Sequence, residues 1–335
     1  MMTHRERVIT ALLHRQPDRT PYHIVFTKQM HARMVEYLGD PAFLDRIGNH
    51  FTILRAEPTG ARVEVRPNIW RDQFGVHWDR SVDQDIGVVM EYLVTPENLR
   101  DFAFPDADDP SRFAACAHVR QDCPDAFVVT NISFSLFERA WTLAGMEMLL
   151  MAMVENPGFV HRLLDRLLEF NLRLIEHACD YDIDAMMFGD DWGQQHGLIM
   201  GPALWREFIK PRIQRMYQAV KARGKFVFIH SCGKVQQLFP ELIECGLDVF
   251  NPLQPEVMDV AAIKREFGTR LSFYGGISTQ RTLPFGTVQE TRDEVRRLID
   301  VLGRDGGYIA SPAHAIPPDA RPENVAAMIE VLQTE

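Results

Sequence analysis

The sequence predicts an α/β fold, a single (β/α)8 or TIM barrel with an N-terminal elaboration spread over residues 1–335, and three observations carry that expectation. Short apolar runs alternate with longer amphipathic stretches, the pattern of a parallel sheet covered by helices. The 335-residue length and the 46% hydrophobic, 24% charged composition suit one large domain with a sizeable core, since α/β barrels often exceed ~250 residues. The apolar runs also end in groups capable of chemistry, as expected where strand C-termini converge on one active face.

The strands are expected at residues 21–26 (PYHIVF), 126–131 (AFVVTN), 185–190 (AMMFGD), 225–230 (KFVFIH), 248–252 (DVFNP), 271–276 (LSFYGG) and 308–312 (YIASP), with an eighth unassigned. Helices are expected over 158–181, 202–223, 235–245 and 287–302. Residues 62–78 alternate polar and apolar positions around a turn and read as a β-hairpin or loop excursion. The stretch 104–112 (FPDADDPSR) reads as a loop closing the N-terminal elaboration. A doubly wound open sheet is the alternative, but no Gly-rich phosphate loop follows the first strand.

The formal net charge of −10 argues against a nucleic-acid surface, which needs clustered Lys and Arg. No run reaches the ~18 apolar residues of a membrane span, and the first ten residues are too polar for a secretory signal, so a cytoplasmic protein is expected. Five cysteines without regular spacing are expected to be reduced, four of them as small buried or semi-buried residues.

The fifth, Cys232, follows His230 at a strand end. Side chains two residues apart share a face of a strand, so a His-x-Cys pair can address one ion, and nitrogen with thiolate sulfur suits zinc. The plain alternative is a buried histidine beside a structural thiol. His314, in SPAHAIPP after the last strand, would bring a third donor to the same rim. Asp190 and Asp191 are candidates for proton transfer; adjacent strand residues face opposite ways, and Asp190 is taken as the inward one with Asp191 capping the next helix or meeting a cation. His314 is a catalytic candidate as well as a ligand. Asn131, Phe134, Trp192, Gln194 and Asn251, at or just beyond strand ends, are expected to line a small-molecule substrate by stacking and hydrogen bonding. Glu138 and Arg139 read as a surface pair, and the methionines at 146, 148, 151 and 153 as packing.

The segments GDDWGQQHGLIMGPALWREFIKP, FIHSCGKV, GLDVFNPLQP, YGGIS and SPAHAIPPDARPEN, in this order, resemble the uroporphyrinogen decarboxylase superfamily, in particular its zinc-dependent, corrinoid-linked methyltransferase branch. The resemblance implies zinc held by His230 and Cys232 with a third ligand in the late segment. There this chain has His314 where the methyltransferases carry a cysteine and the decarboxylases a histidine. It implies methyl transfer between a small substrate, a methoxylated aromatic or a thiol, and a corrinoid (cobalamin). No DxHxxG segment for B12 is present, so the corrinoid would ride on a partner protein; a homodimer is also implied. The alternatives are decarboxylation of a non-standard substrate, since FTKQMHARM stands where a decarboxylase carries its RQAGRY-type segment, and a non-catalytic tetrapyrrole-binding protein.

Overall fold

The computed structural model describes residues 2–335. Seven parallel strands form a curled sheet in sequential order: β1 (Phe51–Arg55), β2 (Phe127–Ile132), β3 (Ala185–Gly189), β4 (Phe226–His230), β5 (Val249–Leu253), β6 (Ser272–Ile277) and β7 (Tyr308–Pro312). Each neighbouring pair is parallel, with His230 opposite Gly189 on one side and Asn251 on the other. Six of the seven expected runs are strands.

The expected first strand is not one. Residues 21–26 lie beside β7 but make only single bridges, Tyr22 to Ala310 and Phe26 to Ile316. Pro21 has no N–H to give a ladder. The His50 ring donates from Nδ1 to Tyr22 O (3.2 Å) and the Ile24 amide bonds Asn49 Oδ1 (2.8 Å), so side chains satisfy the backbone that a strand partner would. The closed eight-stranded ladder expected from the sequence is therefore a seven-stranded curl, and its opening strand is FTILR, the run left unassigned.

Strand periodicity sorts side chains into two cores. Phe51, Phe127, Val129, Ala185, Met187, Phe228, Val249, Tyr274 and Ile309 fill the inside of the curl, closed at one end by Val8 and Leu12 of the helix His4–Leu12. The alternate positions, such as Val128, Met186, Phe188, Ile229 and Phe250, pack against the surrounding helices. At the same end as that helix, Asp184 draws Arg5 and Arg120 to 2.8 Å and accepts the Val128 amide.

The helices follow the expected amphipathic stretches with local departures. Pro157–Cys179 and Val288–Leu302 are continuous, the latter opened by a Thr287/Glu290 capping box. The stretch expected as one helix over 202–223 is interrupted by a π-turn at Trp205–Ile209, where the Lys210 amide reaches back to Trp205 O. Pro211 follows and can offer no N–H to the α-ladder, so the wider turn precedes it. The 235–245 stretch begins as a 3-10 turn and becomes α-helical at Phe239–Cys245. The hairpin expected near 62–78 is part of a four-stranded antiparallel sheet, Val63–Arg66, Ile69–Arg71, His77–Asp79 and Val88–Val89. No helix among the described residues is long and apolar enough to cross a membrane.

Candidate metal centre

His230 ends β4 and Cys232 follows two residues later, so both project to the inside of the curl while Ser231 between them is buried on the other side. The loop carrying Cys232 is tightly held. Its amide donates to Asp191 Oδ1 (2.8 Å), the Gly233 amide to Gln254 Oε1 (2.6 Å), and Ser231 Oγ accepts the Trp192 amide (3.1 Å). Gly233 has φ +84°, and a Cβ there would lie 2.4 Å from Gly193 C, so only glycine permits the two loops to cross this closely.

His314, beyond β7, leans over the same spot, its ring 5.6 Å from that of His230 at 71°. Cys232 Sγ is 3.4 Å from His230 Nε2, and the ligating atoms of His230, Cys232 and His314 all lie within 4.8 Å of one another. Donors around one zinc ion sit roughly 3 to 4 Å apart. The exposed His314 ring has the freedom to close the difference, and two imidazoles with one sulfur form a donor set that fits zinc.

Asn251 sets the geometry of the first ligand. Its Nδ2 donates to Tyr274 O (3.1 Å), which leaves Oδ1 facing His230 Nδ1 at 2.6 Å. An amide oxygen only accepts, so Nδ1 carries the proton and Nε2 presents its lone pair to the cluster. Burial pushes the Cys232 thiol up, against the lowering effect of the hydrogen bond from His314.

Two carboxylates stand beside this cluster. Asp191 is inward, in step with Ala185, Met187 and Gly189. Glu138, in the first turn of the helix Phe137–Ala144, brings its Oε2 within 3.8 Å of where a Cβ on Gly189 would lie. Burial, then the charges of Asp191 and Asp190, hold the Glu138 carboxyl well above the usual range.

The sequence profile of the family described as uroporphyrinogen decarboxylase (URO-D) matches residues 72–334. The chain belongs to the uroporphyrinogen decarboxylase family. Among curated relatives it is 24% identical over 182 residues to the uroporphyrinogen decarboxylase of Methylococcus capsulatus, covering 54% of this chain and 50% of that one. It is 26% identical over 174 residues to that of Thermus thermophilus, covering 52% and 48%. The chain thus spans about half the length of the curated relatives it matches. Among solved structures, a methyltransferase from Methanosarcina mazei superimposes with a TM-score of 0.75 at 18% identity over 99% of both chains, a likeness of fold.

Within this uroporphyrinogen decarboxylase fold the other predicted site residues separate. Asp190, expected inward, is wholly buried on the outer side of the sheet, where it accepts the Glu138 amide (2.8 Å), the Leu136 amide (3.3 Å) and Trp192 Nε1 (2.6 Å). The parity was misjudged because AMMFG is apolar on both faces and carries no alternation to count from. Burial pushes Asp190 up to about 6. Trp192 is also fully buried, edge-on to Trp205 at 5.5 Å, so its ring holds Asp190 and has no face for a ligand. Gln194 is exposed on a short hairpin with its carbonyl taken by the Lys234 amide. Asn251 serves His230. Asn131 donates to Ser133 Oγ (3.0 Å) and leaves a buried Oδ1 without a partner, and Phe134 lines a cleft beside the mouth.

Glu138 and Arg139, expected as a surface pair, are not one. Arg139 is buried, paired to Asp72 at 2.7 Å and stacked over Phe74 at 4.3 Å, which ties the antiparallel sheet to the mouth. The signal was available in position: both residues begin a helix directly after a sheet strand, on the face where strand C-termini gather.

Proposed function

We propose that this protein is a zinc-dependent methyltransferase that moves a methyl group between a small substrate and a corrinoid carried by a partner protein. The observation that carries the reading is the convergence of His230, Cys232 and His314 within 4.8 Å, with His230 held in the metal-binding tautomer by Asn251. His230, Cys232 and His314 would hold the ion. When bound, zinc supplies Lewis-acid polarisation of the substrate's oxygen or sulfur.

The chain's own groups do the rest. Glu138, with its carboxyl held above the usual range, keeps a proton to give to a leaving heteroatom, or accepts one back from a thiol in the reverse direction. Asp191 anchors the Cys232 amide and so fixes where the sulfur sits. His314 is exposed at the rim, so a co-substrate reaching the ion would meet it first. The relatives' name favours a second reading, decarboxylation, in which Asp191 and Glu138 would orient the substrate and move the proton without a metal.

The test is incubation of the purified protein with cob(I)alamin and a panel of methyl ethers and methyl thioethers, following methylcobalamin by its absorbance. Cobalt methylation that disappears in Cys232→Ala supports methyl transfer. Release of CO2 from a porphyrinogen carboxylate, undiminished in Cys232→Ala, would move decarboxylation to the front.

A further inference from the structure

Gly189 closes β3 directly opposite His230 of β4, and strand parity places the position its side chain would take inside the curl, beside the first metal ligand. Nothing in the fold requires glycine there. Its φ lies outside the left-handed region, and a Cβ would meet Phe134 N and Ser133 Cα at 3.5 Å and Glu138 Oε2 at 3.8 Å, all ordinary contacts. At Gly193 and Gly233, by contrast, the same atom would fall 2.6 Å and 2.4 Å from the backbone of the crossing loop. A glycine inside a strand costs packing and chain entropy, and where no backbone needs the room, a reason to keep one is the close approach of a ligand.

The surroundings of this open position are built. Phe134 has φ +51°, a left-handed conformation that a residue with a bulky side chain rarely adopts. The turn is pinned by the Ser135 amide, which donates to Gly189 O (2.8 Å), and by Asp190 Oδ1, which accepts the amides of Leu136 (3.3 Å) and Glu138 (2.8 Å). The Phe134 amide, set beside the open position, donates to no protein group among the described residues. A backbone N–H and a carboxyl thus border the space in front of Gly189, one strand away from His230.

We infer that Gly189 is a specificity determinant: the space in front of its Cα admits a hydroxyl of the substrate, which accepts from the Phe134 amide and bonds the Glu138 carboxyl while a neighbouring heteroatom of the same molecule sits on the metal. A hydroxyl both donates and accepts, so it suits an amide that only donates and a carboxyl that can take a proton. An alkyl group in its place leaves both protein groups unmet, which is the source of discrimination at such a site. The inference rests on the metal of the proposed function and not on the corrinoid or on methyl transfer.

The experiment loads the full chain with Co(II) in place of zinc and titrates it with 2-mercaptoethanol and with 1-propanethiol, which differ by a terminal hydroxyl against a methyl, following sulfur-to-cobalt absorption. In the wild type 2-mercaptoethanol is expected to bind at least about fivefold tighter than 1-propanethiol. Gly189→Ala should take up as much cobalt as the wild type and lose that preference, because the added methyl fills the space, and Glu138→Ala should reduce it. Equal affinity for the two thiols in the wild type overturns the inference, as does a preference that survives Gly189→Ala. If Gly189→Ala takes up no cobalt, Glu138→Ala decides, and an unchanged preference there overturns it. A wild type that takes up no cobalt contradicts the proposed function and removes this inference with it, whereas cobalt uptake without a thiol preference sinks this inference alone.

Discussion

His230 Nδ1 donates to Asn251 Oδ1 across 2.6 Å, between residues directly opposite each other on adjacent parallel strands. Partners of this kind fix both the tautomer and the rotation of a ligating imidazole, and losing one commonly costs 10- to 100-fold in metal affinity. Asn251→Leu is therefore expected to weaken zinc binding by about that factor while Asn251→Asp, which retains an acceptor, preserves it. Competition against a chromophoric chelator measures both.

Asp190 and Asp191, neighbours in sequence, should fail in different ways. Asp190→Ala strands two backbone amides and the Trp192 indole in the core and is expected to cost about 3 kcal/mol or more in urea denaturation. Asp191→Ala should stay within about 1 kcal/mol of the wild type in stability and lower turnover by roughly 10²-fold, because it releases the loop that positions Cys232. Equal stability loss in both would contradict the assignment of opposite faces.

Asp72 accepts Arg139 Nη1 (2.7 Å), Trp78 Nε1 (3.2 Å) and the amides of Phe74 (2.9 Å) and Val76 (3.1 Å). Asp72→Ala would leave Arg139 buried and unpaired, for which the expected cost is about 3 to 5 kcal/mol. Chemical denaturation checks the size. Limited proteolysis should show cutting within residues 62–89 first, since this pair ties that sheet to the rest of the chain.

Burial, then the charges of His4 and Arg7, lower His50 to about 3, and its Nε2 accepts from Arg7 Nη1 at 2.8 Å. The unfolded histidine takes up a proton below about pH 6.5 and the folded one does not, so His50 contributes stability that is present above that pH and is lost as pH falls toward 3. His50→Asn removes this titration. Relative to wild type, its stability is expected to improve by about 1.4 kcal/mol for each pH unit below 6.5. A pH-independent difference between the two proteins would contradict the buried neutral state.

Much of the architecture was legible because the sheet is written in short apolar runs, and the three candidate ligands because each ends or follows such a run. What escaped was orientation and context. A strand such as AMMFG, buried on both faces, hides its parity, so Asp190 and Asp191 exchanged roles. PYHIVF has strand composition, but the Asn49 and His50 side chains take its backbone groups, a tertiary effect no local pattern records. FTILR was passed over beside it. Trp192 looked like a stacking platform because a loop tryptophan next to a carboxylate reads the same in sequence whether it faces solvent or the core.

The most direct test of the central claim is elemental analysis of protein purified without chelator or added metal, for the wild type and for His230→Ala, Cys232→Ala and His314→Ala. The account predicts about one zinc per chain in the wild type and its loss in each variant. No zinc in the wild type even after reconstitution, or zinc retained at full occupancy in all three variants, would contradict it.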